Sequence, residues 1–244
     1  MKTLILCEGK TDAILISYLL CKMSGWNPTK ADKKMSVIVS EKNNESAYWY
    51  VRDDDKLLIC GVGGKDKFAK FFSEKIYDLV YSYPQSETFE RIIVIQDKDN
   101  ESISTVENSI KNCLQPIAQE IRNNEWISNV YRDSFDKEEQ IDLLGLVIPF
   151  ESEGALERVL LDSLKESQPE RYIVEHSEAF IDEVKESAKE YINKPRFELK
   201  AKLGVTFAVL SPMKVFTYID ELIKTVEWEK YSHIKDIFQK VLEL

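Results

Sequence analysis

This 244-residue sequence lacks the marks of several well-known protein classes. Its four cysteines are scattered and form no CxxC pair, so a disulfide framework is not indicated. Cys7 and Cys60 lie inside apolar runs, where we expect reduced, buried thiols. No apolar run approaches the roughly 20 residues that cross a bilayer. The sequence therefore predicts a globular, cytoplasmic protein with no membrane partner.

Basic residues are also in deficit. Lys and Arg total 33 against 43 Asp and Glu, which gives a formal net charge of −10 at pH 7. Broad, sequence-independent binding to nucleic acid depends on many contacts between basic side chains and phosphate. The composition argues against binding of that kind, but it leaves open a local site in which a metal ion meets the phosphate.

The most glycine-rich turn lacks the residue that an ATP-binding loop requires. Gly63 and Gly64 are followed by Lys65, which looks superficially like a phosphate loop. A Walker motif needs Ser or Thr directly after its lysine to hold magnesium, and here Asp66 occupies that place. ATP binding by that route is excluded.

Apolar runs and helical patterns alternate along the chain, as in an α/β protein. Leu4–Cys7, Leu57–Val62 and Ile92–Ile95 have the continuous hydrophobicity of buried parallel strands. Apolar residues at helical spacing predict a helix over 12–23, with Thr11 as its cap. The other expected strands are Met35–Ser40, Trp126–Arg132 and Leu143–Ile148, and the other expected helices follow Gly64, span 102–123 and 178–192, start near Glu153, and cover 213–225 and 231–242.

These elements predict an α/β fold in which a mainly parallel sheet is flanked by helices, with a mostly helical C-terminal part. The expected organisation is an α/β domain over residues 1–165 and a helical part over 166–244 that packs on the core. The C-terminal helices should turn their apolar faces inward. Those faces carry Phe180, Ile181, Val184, Val215, Phe216, Ile219, Ile223, Ile237 and Phe238.

An aromatic cluster, formed by Tyr48, Trp49 and Tyr50, lies in a polar stretch of the chain. Aromatic side chains can stack on the bases of nucleic acids. A β-hairpin that packs on the sheet edge explains the same pattern, and it is the interpretation we prefer.

Acidic residues follow two of the predicted parallel strands. Glu8 and Asp12 come after the first strand, and Asp97 and Asp99 come after Ile92–Ile95. In open parallel sheets, the carboxyl ends of the strands form the binding edge. Carboxylates that converge there repel one another and desolvate poorly, so they imply a bound cation. We expect one oxygen from each of Glu8, Asp97 and Asp99 to reach a common Mg²⁺ or Ca²⁺ ion.

The order of these motifs resembles the Toprim domain of topoisomerases, primases and, most closely, the nucleases of the overcoming-lysogenisation-defect family. The EGxxD motif of those nucleases resembles Glu8-Gly9-Lys10-Thr11-Asp12, their glycine turn resembles Gly63-Gly64-Lys65, and their DxD motif resembles Asp97-Lys98-Asp99. A later Leu-Glu pair resembles Leu156-Glu157. We expect no ATPase domain in front of these motifs, and in this the sequence resembles small stand-alone Toprim-like proteins of bacteria and archaea.

The family's catalytic lysine is less clearly matched. Lys202 precedes Phe207-Ala208 at a longer spacing than that family usually shows, so Lys200 is an equal candidate.

The resemblance implies a Rossmann-like fold and Mg²⁺- or Mn²⁺-dependent phosphodiester chemistry on DNA or RNA. It implies one metal ion held by Glu8, Asp97 and Asp99, and a second held by Asp12 and Glu157. The implied catalytic residues are Glu8, Asp12, Lys200 and Lys202, and the implied phosphate-proximal residues are Gly9, Lys10, Gly64 and Lys65.

The same residues also have structural interpretations. Asp12 can act only as a partner of the helix dipole, and Glu157 lies in a helix rich in charge. The lysines can be ordinary surface charge. The sequence therefore also fits a non-catalytic Toprim-like module that binds a metal, a nucleotide, a partner protein or a second copy of itself.

Overall fold

The computed structural model describes residues 1–31, 35–83 and 87–244. Its strands are β1 Lys2–Cys7, β2 Asn27–Thr29, β3 Ser46–Arg52, β4 Asp55–Gly61, β5 Arg91–Asp97, β6 Trp126–Arg132 and β7 Glu138–Ile148. Within the described ranges they form a seven-stranded mixed sheet in the order β2-β3-β4-β1-β5-β7-β6. β1 pairs in parallel with both β4 and β5, whereas β2-β3, β3-β4 and β6-β7 are antiparallel pairs. The predicted α/β fold class is confirmed.

Helices follow most of the strands and make up most of the chain after β7, as predicted. They are α1 Lys10–Met23, α2 Phe68–Phe71, α3 Tyr77–Tyr81, α4 Ile103–Cys113, α5 Leu156–Leu164, α6 Glu170–Val184, α7 Pro195–Leu210, α8 Ile219–Ile223, α9 Ser232–Ile237 and α10 Gln239–Leu242. A π-helical turn at Phe72–Ile76 joins α2 to α3. Of the helices in the described ranges, none has the length and apolar character needed to cross a membrane.

The chain divides into two compact units. The first comprises Met1–Gln96, Glu101–Val147 and Leu244, and the second comprises Asp97–Asn100 and Ile148–Glu243. The central strands of the first unit are buried, as expected of continuous apolar runs between layers of helix. All four cysteines are thiols, and Cys7 and Cys60 are fully buried, as the sequence predicted.

The aromatic cluster lies in the predicted β-hairpin. β3 and β4 pair along their whole lengths across a turn in which Asp53 has a φ of 52°. Trp49 is only 6% exposed and its ring stacks on Phe89 at 6.4 Å between centroids. The hairpin interpretation is confirmed, and the buried Trp49 ring is not placed to stack on a base.

Three local predictions in the first unit are wrong. Residues 35–40 form no strand, because Met35 packs on the core while its neighbours make no ladder of hydrogen bonds. Helix α1 is capped at Gly9 rather than at Thr11. Helix α4 ends at Cys113 instead of extending to residue 123, because Pro116 has no N–H with which to continue it.

Two predictions in the second unit also need correction. The helix predicted over 178–192 is found as α6, over Glu170–Val184, and a further helix, α7, begins at Pro195, whose fixed φ and missing N–H are tolerated in a first turn. Several side chains assigned to inner faces are exposed, with Phe180 at 52% and Phe216 at 101%. Val215 and Ile219 are exposed as well, whereas Ile181, Ile223, Ile237 and Phe238 are buried as predicted.

Candidate functional site

The first acidic segment closes the carboxyl end of β1. Glu8 directly follows the strand, and its side chain is only 3% exposed. Gly9 is the N-cap residue of α1, and its N–H donates to Asp12 Oδ2 at 2.9 Å. Asp12 therefore accepts a backbone N–H at the helix start, and it also places a negative charge in the first turn, where the helix dipole stabilises it.

The glycine turn after β4 is hydrogen-bonded to Glu8, at the end of β1. The N–H groups of Gly63 and Gly64 both donate to the backbone carbonyl of Glu8, at 3.1 and 2.9 Å. Gly63 has a φ of +90°, and a Cβ there would meet Asn43 O at 2.2 Å. Two motifs that are far apart in the sequence thus lie side by side in the first unit, and glycine is needed at this contact.

The two candidate phosphate-binding lysines of the first unit differ in their surroundings. Lys65 Nζ contacts Glu101 Oε1 at 2.9 Å, and both side chains are partly exposed. Lys10, at the start of α1, is exposed. Because Lys65 is already paired with a carboxylate, it would have to exchange that partner for a phosphate.

The DxD segment lies in the second unit and is clamped to the chain that precedes α5. Asp99 exchanges two backbone hydrogen bonds with Gly154, at 2.6 and 2.8 Å, and has a φ of 53°. Asp97 is 5% exposed, and its Oδ1 accepts the N–H of Leu156 at 3.0 Å. The segment is therefore fixed at the amino end of a helix, with the Asp97 carboxylate held in one orientation.

The candidate second-ion ligand and one candidate lysine form a loose pair. Glu157 lies in the first turn of α5, and Lys200 lies in α7. Lys200 Nζ is 3.8 Å from Glu157 Oε1, and the lysine side chain is 51% exposed. This contact leaves Lys200 accessible to a ligand of the same unit.

Lys202 has a different environment. Its side chain is 8% exposed, and its Nζ contacts Glu198 at 2.6 Å and Asp182 at 3.0 Å. Burial lowers the pKa of the Lys202 ammonium, but the hydrogen bonds from Nζ to these two carboxylates outweigh burial, and its pKa lies above the ordinary value. Lys202 is thus engaged in joining α6 to α7.

The carboxylate oxygens of these residues suit a hard cation such as Mg²⁺. Over the described ranges, however, no three His, Cys, Asp or Glu side chains are grouped so that they could hold a metal ion. Mg²⁺ often keeps several waters and takes only one or two protein carboxylates, with substrate phosphate completing its shell. The three-carboxylate group expected of Glu8, Asp97 and Asp99 is therefore not found in the described part of the chain. The donor type still fits Mg²⁺, for which the two carboxylates of the DxD segment are enough.

Sequence reasoning missed a group of basic residues around a cavity of the second unit. Arg158, Lys194 and Arg196 line this cavity together with Asp99. The run Lys194-Pro195-Arg196 is a usable signal, because a proline at the first turn of a helix places its two neighbours at the helix start.

Comparisons with known proteins identify a family but no activity. The model of a family described as a protein of unknown function, DUF3226, matches residues 2–243. None of the curated proteins matches the chain. The solved structure of a hypothetical protein from Pyrococcus horikoshii OT3 covers 99% of this chain and 99% of its own, with 16% sequence identity and a TM-score of 0.47.

Proposed function

We propose that this chain, which belongs to the DUF3226 family of proteins of unknown function, carries out Mg²⁺-dependent phosphodiester chemistry on nucleic acid. The reaction would be that of the Toprim nucleases that its motifs resemble, with Mn²⁺ able to replace Mg²⁺. A cytoplasmic location, which suits its buried thiols, is part of the same proposal.

The observation that supports this proposal most strongly is the setting of Asp97. A carboxylate that is only 5% exposed and is oriented by a backbone N–H loses little entropy when it binds a cation. Two residues later, Asp99 has a φ of 53° and is held by two backbone hydrogen bonds to Gly154, just before α5. The DxD segment is thus a rigid support of the kind that a metal site requires.

The chain's own residues have separate tasks in this proposal. Asp97 and Asp99 would hold the ion, with water and substrate phosphate completing its shell. When bound, the ion would neutralise charge on the phosphoryl oxygens and activate a water molecule. Lys200, which is exposed and reaches Glu157, is better placed than the buried Lys202 to contact a phosphate.

The decisive experiment replaces Asp97 without removing its hydrogen bond. Asp97→Asn retains an Oδ1 acceptor for Leu156 N–H but loses the charge, so α5 should keep its cap while metal binding is lost. Mg²⁺ at one hundred times its Kd should raise the free energy of unfolding of the wild-type protein by about 2.7 kcal/mol, which raises its Tm by roughly 5 to 10 °C. The variant should show no Mg²⁺-dependent shift and no Mg²⁺-dependent cleavage of plasmid, single-stranded DNA or RNA.

Asp133→Asn is the matched control. Asp133 is also buried, and its Oδ1 also accepts backbone N–H groups, from Phe135 and Lys137. This variant should keep the wild-type response to Mg²⁺. If Asp97→Asn responds to Mg²⁺ as wild type does, Asp97 is not a ligand and the nuclease proposal loses its chemistry.

A non-catalytic Toprim-like module is the second candidate. The carboxylates of Asp12 and Asp97 each accept a backbone N–H at the start of a helix. These hydrogen bonds give both acids a structural role, and this favours a non-catalytic module. Such a module would show the Mg²⁺-dependent rise in Tm but cleave none of the three nucleic acids. The same pair of measurements therefore separates the two candidates.

A further inference from the structure

A cavity of about 470 Å³ opens in the second unit beside the DxD segment. Its wall includes Asp99 and Asn100, the chain at the start of α5, and the first turn of α7. Ala155, Pro195 and Leu199 contribute apolar surface to its lining. The cavity is thus a concave and partly apolar site, and Asp99 of the proposed metal site is one of its lining residues.

The charged groups around the cavity are three basic and three acidic side chains. The basic ones are Arg158, Lys194 and Arg196, and the acidic ones are Asp99, Glu153 and Glu198. Arg158 contacts Glu178 at 3.3 Å, and Glu198 contacts Lys202 at 2.6 Å.

Lys194 and Arg196 provide the positive side of the cavity. Both are exposed and flank Pro195 at the start of α7. Within the described residues Lys194 has no carboxylate at ion-pair distance; its ammonium lies 5.7 Å from the centroid of the Phe197 ring. The amino end of a 16-residue helix adds a partial positive charge at the same place. The positive groups are therefore arranged to receive an anion.

We infer that this cavity binds a single nucleotide unit, with the phosphate at Lys194 and Arg196 and the base or sugar against Ala155 and Leu199. This inference rests on the proposed function and names the part of the nucleic acid that the second unit would hold. A volume of about 470 Å³ suits one nucleotide, since small-ligand sites measure about 300 to 1,000 Å³. It is too small for a base-paired duplex, so the unit held is an unpaired or terminal nucleotide.

The test uses AMP, adenosine and inorganic phosphate as probes of the full-length protein in EDTA, so that the readout does not depend on metal. Wild type should bind AMP saturably in calorimetry or ligand-observed NMR, and should bind adenosine and phosphate more weakly. Lys194→Ala with Arg196→Ala should weaken the affinity for AMP at least tenfold and change the affinity for adenosine less than twofold. Both side chains are exposed, so the fold should be retained, which circular dichroism checks.

Two further variants sharpen the test. Lys189→Ala with Lys235→Ala removes the same number of charges outside the cavity lining and should leave AMP binding unchanged. Glu153→Gln removes an exposed acid of the lining and should strengthen AMP binding several-fold, because a negative charge no longer opposes the phosphate. No saturable AMP binding by wild type, or equal AMP binding by the Lys194 and Arg196 double variant, would overturn the inference.

The outcome for the cavity is distinguishable from the outcome for the proposed function. Mg²⁺-dependent cleavage without AMP binding would refute nucleotide binding in the cavity but support the nuclease proposal. AMP binding that depends on Lys194 and Arg196, without cleavage by wild type, would keep the cavity and favour the non-catalytic module.

Discussion

At the scale of single residues, burial decides the chemistry of the thiols. Burial raises the pKa of the Cys60 thiol, and Cys7 beside it in the sheet is fully buried too. A thiol reagent attacks the thiolate, and it also needs access. Both thiols should therefore be inert in the folded protein, whereas the partly buried Cys21 and Cys113 should be the ones that react.

Titration with a coloured thiol reagent checks this prediction. The native protein should show two reactive thiols, and the denatured protein should show four. Cys60→Ser should leave the native count unchanged and lower the denatured count by one. Four reactive thiols in the native protein would contradict the burial of β1 and β4.

Replacing the two candidate catalytic lysines, Lys200 and Lys202, should have different effects on the free energy of unfolding. Lys202→Ala removes a buried ammonium that two carboxylates contact, and should cost about 2 kcal/mol of unfolding free energy. Lys200 is exposed, so Lys200→Ala should change stability by less than about 0.5 kcal/mol. Urea unfolding measures both. A loss of cleavage by Lys200→Ala at unchanged stability would assign phosphate contact to Lys200.

At the scale of elements, two glycines offer a matched pair. Gly63 has a positive φ and its missing Cβ leaves room for Asn43 O, so Gly63→Ala should destabilise by about 2 kcal/mol or more. Gly204 lies inside α7, and a methyl group added there would meet no atom within 4 Å apart from the backbone of its own helix and its chain neighbours, so Gly204→Ala should stabilise by about 0.5 to 1 kcal/mol. Equal effects of the two changes in urea unfolding would show that the glycine turn is not held against Asn43.

The start of α9 is joined to the end of α5 by one carboxylate. Glu166 accepts hydrogen bonds from Ser232 N, Ser232 Oγ and His233 N. Burial alone would raise the pKa of the Glu166 carboxyl, but the hydrogen bonds from His233 and Ser232 hold it below its ordinary value. The ionised form is therefore favoured in the folded state.

This link gives a pH dependence with a definite sign. The pKa of the Glu166 carboxyl is lower in the folded state than in the unfolded state. Its contribution to the free energy of unfolding is therefore complete above the unfolded pKa of about 4.3, and it is lost as the pH falls through the folded pKa. Glu166→Gln should lower stability by about 1 kcal/mol at pH 7 and by progressively less below pH ~4. Glu175→Gln, in an exposed position on α6, is the control and should have no comparable effect. A loss that is independent of pH would assign the effect to packing instead.

At the scale of the whole molecule, the net charge of −10 limits how nucleic acid can bind. A single-stranded oligonucleotide held by about three phosphate contacts should give a slope of about −2 for log K against log salt, at about 0.7 per phosphate. Fluorescence anisotropy in Mg²⁺ measures this slope. A slope several times steeper would reveal an extended basic surface and contradict a local site.

The sequence by itself determined what depends on periodic burial. Continuous apolar runs located β1, β4 and β5, alternation located β6 to the residue, and the resulting class is α/β. The acidic motifs at the ends of β1 and β5 were recognisable for the same reason, since a polar residue stands out where a buried strand stops.

Only the tertiary structure decided what depends on partners distant in the chain. Residues 35–40 were predicted to be a strand, yet they form none, and β3 pairs with β4 and β2 instead. Lys200 and Lys202 look equivalent in sequence, but the helical turn directs one to Glu157 and buries the other against Asp182. The cavity beside the DxD segment likewise exists only because α5 and α7 pack together. Local patterns encode burial, whereas the pairing of charges is set by which helix faces meet, and that is a property of packing.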